Sequence, residues 1–271
     1  MWSALYSAVI FNPFISAVAV TSFLAGDLPQ APDRPEPPDV ADQRPAAPDR
    51  SGVERFTFAT NDLDDLQIDL HAGDLAIDGT DADEVRIVVR PTRAGEHCRI
   101  DVGTEGRTLK VEAVLDGGFG SGRCEVDVDV ELPPSVTLDA DVGAGDIRLD
   151  GAAGSMTLHT GAGDVRGSTS GPGLRVDTGV GDIQLDSLLH AVAASTGAGS
   201  INLSFDSAPA GRIRASTGVG DVRVTLPDAT PVRADTSTGL GSIRQELPQQ
   251  ADAPTEVNAS TGLGDVVLRS R

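Results

Sequence analysis

The chain has 271 residues, 41 acidic against 21 basic side chains, a formal net charge of −20, 3% aromatic residues and 39% apolar residues. Lys110 is the single lysine, Trp2 the single tryptophan and Tyr6 the single tyrosine. Phosphate contacts need clustered Lys and Arg, and stacking platforms for bases or sugars need aromatics, so no nucleic-acid partner is expected.

Residues 1–26 carry no charge, and the apolar run Ala8–Ala25 is broken only by Asn12, Pro13, Ser16, Thr21 and Ser22. That is close to the ~20 residues that cross a bilayer. The run reads either as a cleaved signal peptide or as an uncleaved membrane anchor, with a buried core helix as a third reading. A basic n-region is missing, which weighs against the first, and Pro13 weighs against the second. Residues 27–52 hold Pro29, Pro32, Pro35, Pro37, Pro38, Pro45 and Pro48 with six acids and three arginines. Such a stretch cannot bury apolar surface and is expected to be an extended, semi-rigid linker. An acidic flank is not what the positive-inside rule places in the cytoplasm. The chain is therefore expected to be exported: membrane-anchored, periplasmic or at the cell surface, contacting the membrane through residues 1–26 if these are uncleaved.

Residues 53–135 read as the less regular beginning of one domain spanning 53–271. Strands are expected at Arg55–Ala59, Leu66–Leu70, Val85–Arg90, Cys98–Val102, Thr108–Leu115 and Cys124–Leu132, punctuated by glycines. In an oxidising compartment Cys98 and Cys124 form a structural disulfide. It closes a loop of 26 residues, worth about 3 kcal/mol in the chain-entropy model. The four histidines are scattered, so no zinc site is expected.

Residues 136–271 are dominated by an internal repeat. A short strand, Gly-x-Gly, Asp or Ser, and a β-branched residue recur from Gly143, Gly161, Gly179, Gly197, Gly218, Gly239 and Gly262, at steps of 18, 18, 18, 21, 21 and 23 residues. The second glycines are Gly145, Gly163, Gly181, Gly199, Gly220, Gly241 and Gly264. An earlier relative, AGDLAIDG at Ala72–Gly79, matches AGDIRLDG at Ala144–Gly151 in five of eight positions. Before each turn, alternate positions are apolar or small, as in Leu138, Ala140, Val142 and Leu174, Val176, Thr178; after it, Ile147 and Leu149 recur as Ile183 and Leu185. Period two means strands with one buried face. One copy cannot form a core alone, whereas stacking each copy on the next makes internal ladders. The expected fold is all-β: a single-domain β-solenoid, right-handed and parallel-β-helix-like, with coils of 18–23 residues. Seven coils at ~4.8 Å give a rod of roughly 34 Å. The glycines are expected wherever each coil needs φ > 0 or close backbone approach.

These short strands joined by Gly-x-Gly-Asp-Ile/Val look like the bacterial putative-adhesin family of β-strand-repeat proteins, a domain of unknown function. The similarity covers about residues 53–271 and is clearest over 136–269. It implies a strand-repeat fold, often attached to a membrane segment or signal sequence, and carries over no catalytic residue.

Candidate chemistry is sparse. The acids after the turns (Asp146, Asp164, Asp182, Asp221, Asp265, with Ser200 and Ser242) form a ladder able to attract a cation. The plainer reading is that they are solvated turn residues bonded to local backbone N–H groups, with Arg148, Arg166, Arg223 and Arg244 neutralising them laterally. No helix follows any Gly-x-Gly, which excludes a phosphate loop. The repeated Ser-Thr pairs suggest a hydroxyl array, but the threonines face inward in this register. Acid pairs such as Asp64 with Asp65 and Asp139 with Asp141 lack a substrate groove, and Ser155 with His159 lacks a third orienting group. Neither a cofactor nor a metal is implied. Insertions gather at the corner opposite the turns, at Asp150–Ser155, Ser204–Arg212, Thr225–Pro231 and Glu246–Glu256, and such a corner is a candidate partner edge. The function expected is a non-enzymatic envelope or surface protein presenting a rigid acidic rod to an unknown envelope component. One alternative is a scaffold polymerising end to end, a homo-oligomer formed through an uncapped C-terminal coil; a lower one is a polysaccharide-active β-helix enzyme.

Overall fold

Alternation of apolar and polar residues becomes strand in every repeat copy. The computed structural model describes residues 52–95, 97–115, 124–188 and 190–271; the apolar segment and the proline-rich linker lie outside them. The early strands are β1 Glu54–Ala59, β2 Asp65–Leu70, β3 Leu75–Gly79, β4 Glu84–Ala94, β5 Cys98–Glu105, β6 Thr108–Leu115 and β7 Cys124–Leu132. The repeats give β8 Thr137–Ala144, β9 Ile147–Ala152, β10 Met156–Ala162, β11 Val165–Thr169, β12 Leu174–Val180, β13 Ile183–Leu188, β14 Val192–Ala198, β15 Ile201–Phe205, β16 Gly211–Val219 and β17 Val222–Leu226. The last four are β18 Val232–Leu240, β19 Ile243–Gln245, β20 Thr255–Leu263 and β21 Val266–Ser270.

Two facing sheets hold these strands. One runs β1-β4-β7-β3-β9-β11-β13-β15-β17-β21-β19, the other β18-β20-β16-β14-β12-β10-β8-β2-β6-β5. Each repeat contributes one strand to each sheet, joined at the Gly-x-Gly corner, and like strands pair in parallel and in register, as Met156 with Leu174 and Ile183 with Ile201. The fold is an all-β solenoid. Nine parallel coils stack among the described residues, about 43 Å at ~4.8 Å per coil, two coils more than the seven repeat copies give.

The core lies between the sheets and is built from the alternate positions. Leu138, Leu158, Val176, Ile213 and Val257 are fully buried on one side, Ile147, Ile183, Ile201, Val222 and Val266 on the other. At ~1.5–3 kcal/mol per buried aliphatic side chain, each coil gains its stability by covering its neighbours. Phe205 is the largest of the fully buried side chains, which fits a narrow interior.

Stacking does not follow chain order at either end. The C-terminal coil, β20 with β21, sits between β16/β17 and β18/β19, not at the tip. The expected uncapped C-terminal coil is therefore internal, and the outermost rung is the one containing Gly239. Likewise β2/β3 sits between β6/β7 and β8/β9. Here the sheets end in antiparallel strands: β4 on β7, β1 on β4 and β5 on β6. A disulfide joins Cys98 on β5 to Cys124 on β7, with Cα atoms 4.9 Å apart. It links the outermost strand of one sheet to the other sheet, holding this end of the sandwich closed.

Candidate functional site

The Gly-x-Gly corner is the most regular feature, and its chemistry is structural. Gly199 has φ +147°, and a Cβ there would lie 2.0 Å from the Gly181 carbonyl oxygen of the preceding coil. A positive φ and a backbone-to-backbone approach both require glycine. The first glycines make the same approach: a Cβ on Gly161 would meet the Gly143 oxygen at 2.5 Å.

Two hydrogen-bond ladders fix this corner. Inside it, the hydroxyls of Thr160, Thr178 and Thr196 donate to the carbonyls of Gly145, Gly163 and Gly181 at 3.0–3.1 Å, each reaching the adjacent coil. Thr217, Thr261 and Thr238 donate to Gly199, Gly220 and Gly264 at 2.8 Å. Outside it, the expected turn carboxylates do not bond to their own turn. The Asp164 amide donates to Asp146 Oδ1 at 2.8 Å, the Asp182 amide to Asp164 at 2.7 Å and the Ser200 amide to Asp182 at 2.8 Å. The chain of bonds continues through Asp221 and Asp265 to the Ser242 amide and reaches back through Asp74 to Asp127. Each acid thus caps an amide of the neighbouring coil, because stacking puts that amide closer than any local one. The Ser242 amide and hydroxyl hold Asp265 below the usual carboxylate range. Arg166 pairs with Asp164 as expected, whereas Arg223 donates to Asn202.

Outward rows on the flat sheets hold the remaining titratable groups. Asp69 stands in register with Glu112 on β6 and Asp141 on β8. Burial, then the charges of Asp141 and Glu112, raise its pKa. Burial raises Asp78 as well, followed by the charges of Asp150, Asp129 and Glu131. At both positions burial is the larger cause, and the like charges stacked along the row add to it. His159 is exposed between Asp141 and Asp177 of the adjacent strands. Ser155 precedes β10, four residues away, which is ~13 Å along an extended chain, so the two are not brought together. Asp64 is bound by the Arg107 guanidinium, which lowers its pKa. Among the described residues no group of three or more His, Cys, Asp or Glu is placed to hold a metal ion.

The C-terminal coil is clamped by one carboxylate. Glu256 on β20 accepts from Arg212 on β16 at 3.1 Å and from Arg233 on β18 at 2.5 Å. With Asn258 these guanidinium groups pull Glu256 down to about 2. An acid with a depressed pKa stabilises the fold above its unfolded value of about 4.5, and loses that contribution as pH falls toward 2. E256Q is therefore expected to lower Tm by a small amount at pH 6, of order 2 °C for so exposed a clamp. In thermal melts the gap from wild type should close as the pH is lowered to 2.5; a gap independent of pH would show that the charge is not what holds.

The insertion corner is less free than its composition suggests. Thr255 donates to Pro209 O at 2.7 Å, the Gly211 amide to Pro254 O at 3.0 Å, and Thr230 to Pro227 O at 2.7 Å. Gln249 and Gln250 bond to β18. Deleting Gln249–Ala253 would strip the outer edge of that strand, so this segment serves the fold as well. Its signal in the sequence is the lengthened step between the last copies.

Fold and corner define a parallel-coil β-solenoid stapled by backbone approach at glycine. The Toastrack DUF4097 family model matches residues 121–265, more than half of the chain, and the chain belongs to that family. No curated protein matches it. Among solved structures it is similar to a putative cell adhesion protein from Clostridium sporogenes, with 15% identity, 81% of this chain and 99% of the other covered, and a TM-score of 0.38. It is also similar to a putative adhesin from Bacteroides fragilis, with 13% identity, 82% and 98% covered, and a TM-score of 0.42. Among the described residues no helix is long and apolar enough to cross a membrane.

Proposed function

We propose that the chain is a non-enzymatic cell-envelope protein that holds a rigid acidic rod outside the membrane for adhesion or contact with another envelope component. The observation that supports it most is the double ladder at the Gly-x-Gly corner. Threonine hydroxyls inside and carboxylate-to-amide bonds outside commit the repeated polar groups to stiffness rather than to a reaction centre. The Cys98–Cys124 disulfide supports an oxidising compartment, and the uncharged residues 1–26 with the proline-rich linker supply the means of export and of stand-off.

Cell fractionation with N-terminal sequencing of the mature protein tests this reading. The expected result is an envelope fraction in which Cys98 and Cys124 resist alkylation until reduced. A cytosolic protein with two free thiols would end the proposal.

A further inference from the structure

The outermost rung at the C-terminal end is stepped. Over one half, the return segment lies beside the start of β18: the Val232 amide donates to Pro248 O at 2.9 Å, the Gln250 amide to Val232 O at 3.0 Å, and the Ala234 amide to Gln249 Oε1 at 3.3 Å. Leu247 is 4% exposed under this ledge. Over the other half, at the Gly-x-Gly corner, nothing is stacked among the described residues. Ile243 occupies the inward position filled by Val266 and Val222 in the coils below, yet it is 45% exposed; Leu240 beside it holds the outward middle position of the turn, which is exposed in the stacked coils as well, at Leu263, Val219 and Val180. In a parallel strand the N–H and C=O of one residue point to the same side and alternate along the chain. The Thr236 groups therefore point outward with those of Val232, onto the open half.

We infer that two copies of this chain join head to head through their stepped ends. A two-fold axis across the end, perpendicular to the sheets, reverses β18 and carries the Leu247–Gln250 ledge of one copy over the open Thr236–Ile243 half of the other. The two ledges then share a single rung between β18 and its symmetry mate. Each ledge meets strand edge that is unpaired among the described residues, and each exposed Ile243 is covered.

Charge permits this at one end only. Residues 211–271 hold seven arginines and seven carboxylates, so the whole net charge of −20 lies in residues 1–210. Two neutral ends approach without the repulsion that the acidic remainder of the rod imposes. The size is adequate: a nine-residue strand across two layers presents about 600 Å² per copy, near 1,200 Å² in total, the lower limit of stable interfaces. A two-fold contact of this kind closes at two copies. It therefore replaces the end-to-end polymer with a dimer of double length, wherever in the cell the chain resides.

Cross-linking of the full chain tests the arrangement. In the double variant L240C/Q249C, air oxidation is expected to give a disulfide-linked dimer and nothing larger. The two positions cannot meet within one copy, because Gln249 registers with Val232, about 26 Å along the strand from Leu240. L240C/E54C, which would join the stepped end to the β1 edge at the other end, is expected to stay uncross-linked. Monomer from the first variant, or covalent ladders from the second, would overturn the inference. Sedimentation equilibrium supplies the second measurement: I243R is expected to weaken self-association at least tenfold, and association unchanged by it would place the contact elsewhere and defeat the proposal.

Discussion

Gly199→Ala is expected to destabilise the solenoid by about 3 kcal/mol or more, read as the shift in urea midpoint at constant m-value. Two costs combine. The residue has φ +147°, where alanine is strained. Its methyl group would also lie 2.0 Å from the Gly181 carbonyl oxygen, which is backbone and cannot rotate away. That oxygen already accepts the Thr196 hydroxyl, and the next residue, Ser200, donates its amide to Asp182. Moving the coil to make room breaks both ladders where they cross. Gly103→Ala is the control: a Cβ there meets nothing within 4 Å, and its effect should lie within about 0.5 kcal/mol of zero. Similar effects from the two variants would mean that close approach at the corner is not what the repeated glycines supply.

The corner was legible because one pattern is repeated at seven places. Alternation before Gly143, Gly161 and Gly179 identifies strand and buried face together, and the inward setting of Thr178 and Thr196 follows from the same period. The bonding partner of Asp164 was not legible. Every coil carries a similar acid and a similar amide, so sequence alone does not separate a bond within the turn from one to the adjacent coil; only the stacking distance decides. Stacking order was hidden for a related reason. Val257 presents the same surface to Ile213 as to Ala234, so apolar pattern does not say which copy lies next to which. The faint signals were elsewhere: steps of 21 and 23 residues near the end, and Glu256 carrying a charge opposite to those of Arg212 and Arg233. The detour of β4 and β5 at the other end likewise leaves ordinary strand alternation in the sequence and is visible only in the antiparallel pairing.

Out-of-order stacking makes two deletions of similar size behave oppositely. Removing residues 255–271 takes away β20 and β21, the strands on which β18 and β19 are paired. Residues 232–254 should then lose their place in the stack, and Val222, Val224 and Leu226, all fully buried in the intact protein, lose their cover. Limited proteolysis is expected to cut within 232–254 at least about tenfold faster than in the intact chain, since cleavage follows the population of the open form. Removing residues 229–251 instead excises the outermost rung and joins Asp228 to Asp252. The resulting connection from β17 to β20, residues 227–228 and 252–254, is as long as the natural 206–210 link between β15 and β16. Here β20 already pairs with β16 and β21 with β17, so every remaining coil keeps its neighbour. This variant should stay folded, with a protease-resistant body extending to the C-terminal strand. If the terminal truncation were tolerated and the internal excision were not, the last coil would have to lie at the tip after all, and both the clamp at Glu256 and the stepped end would fall with it.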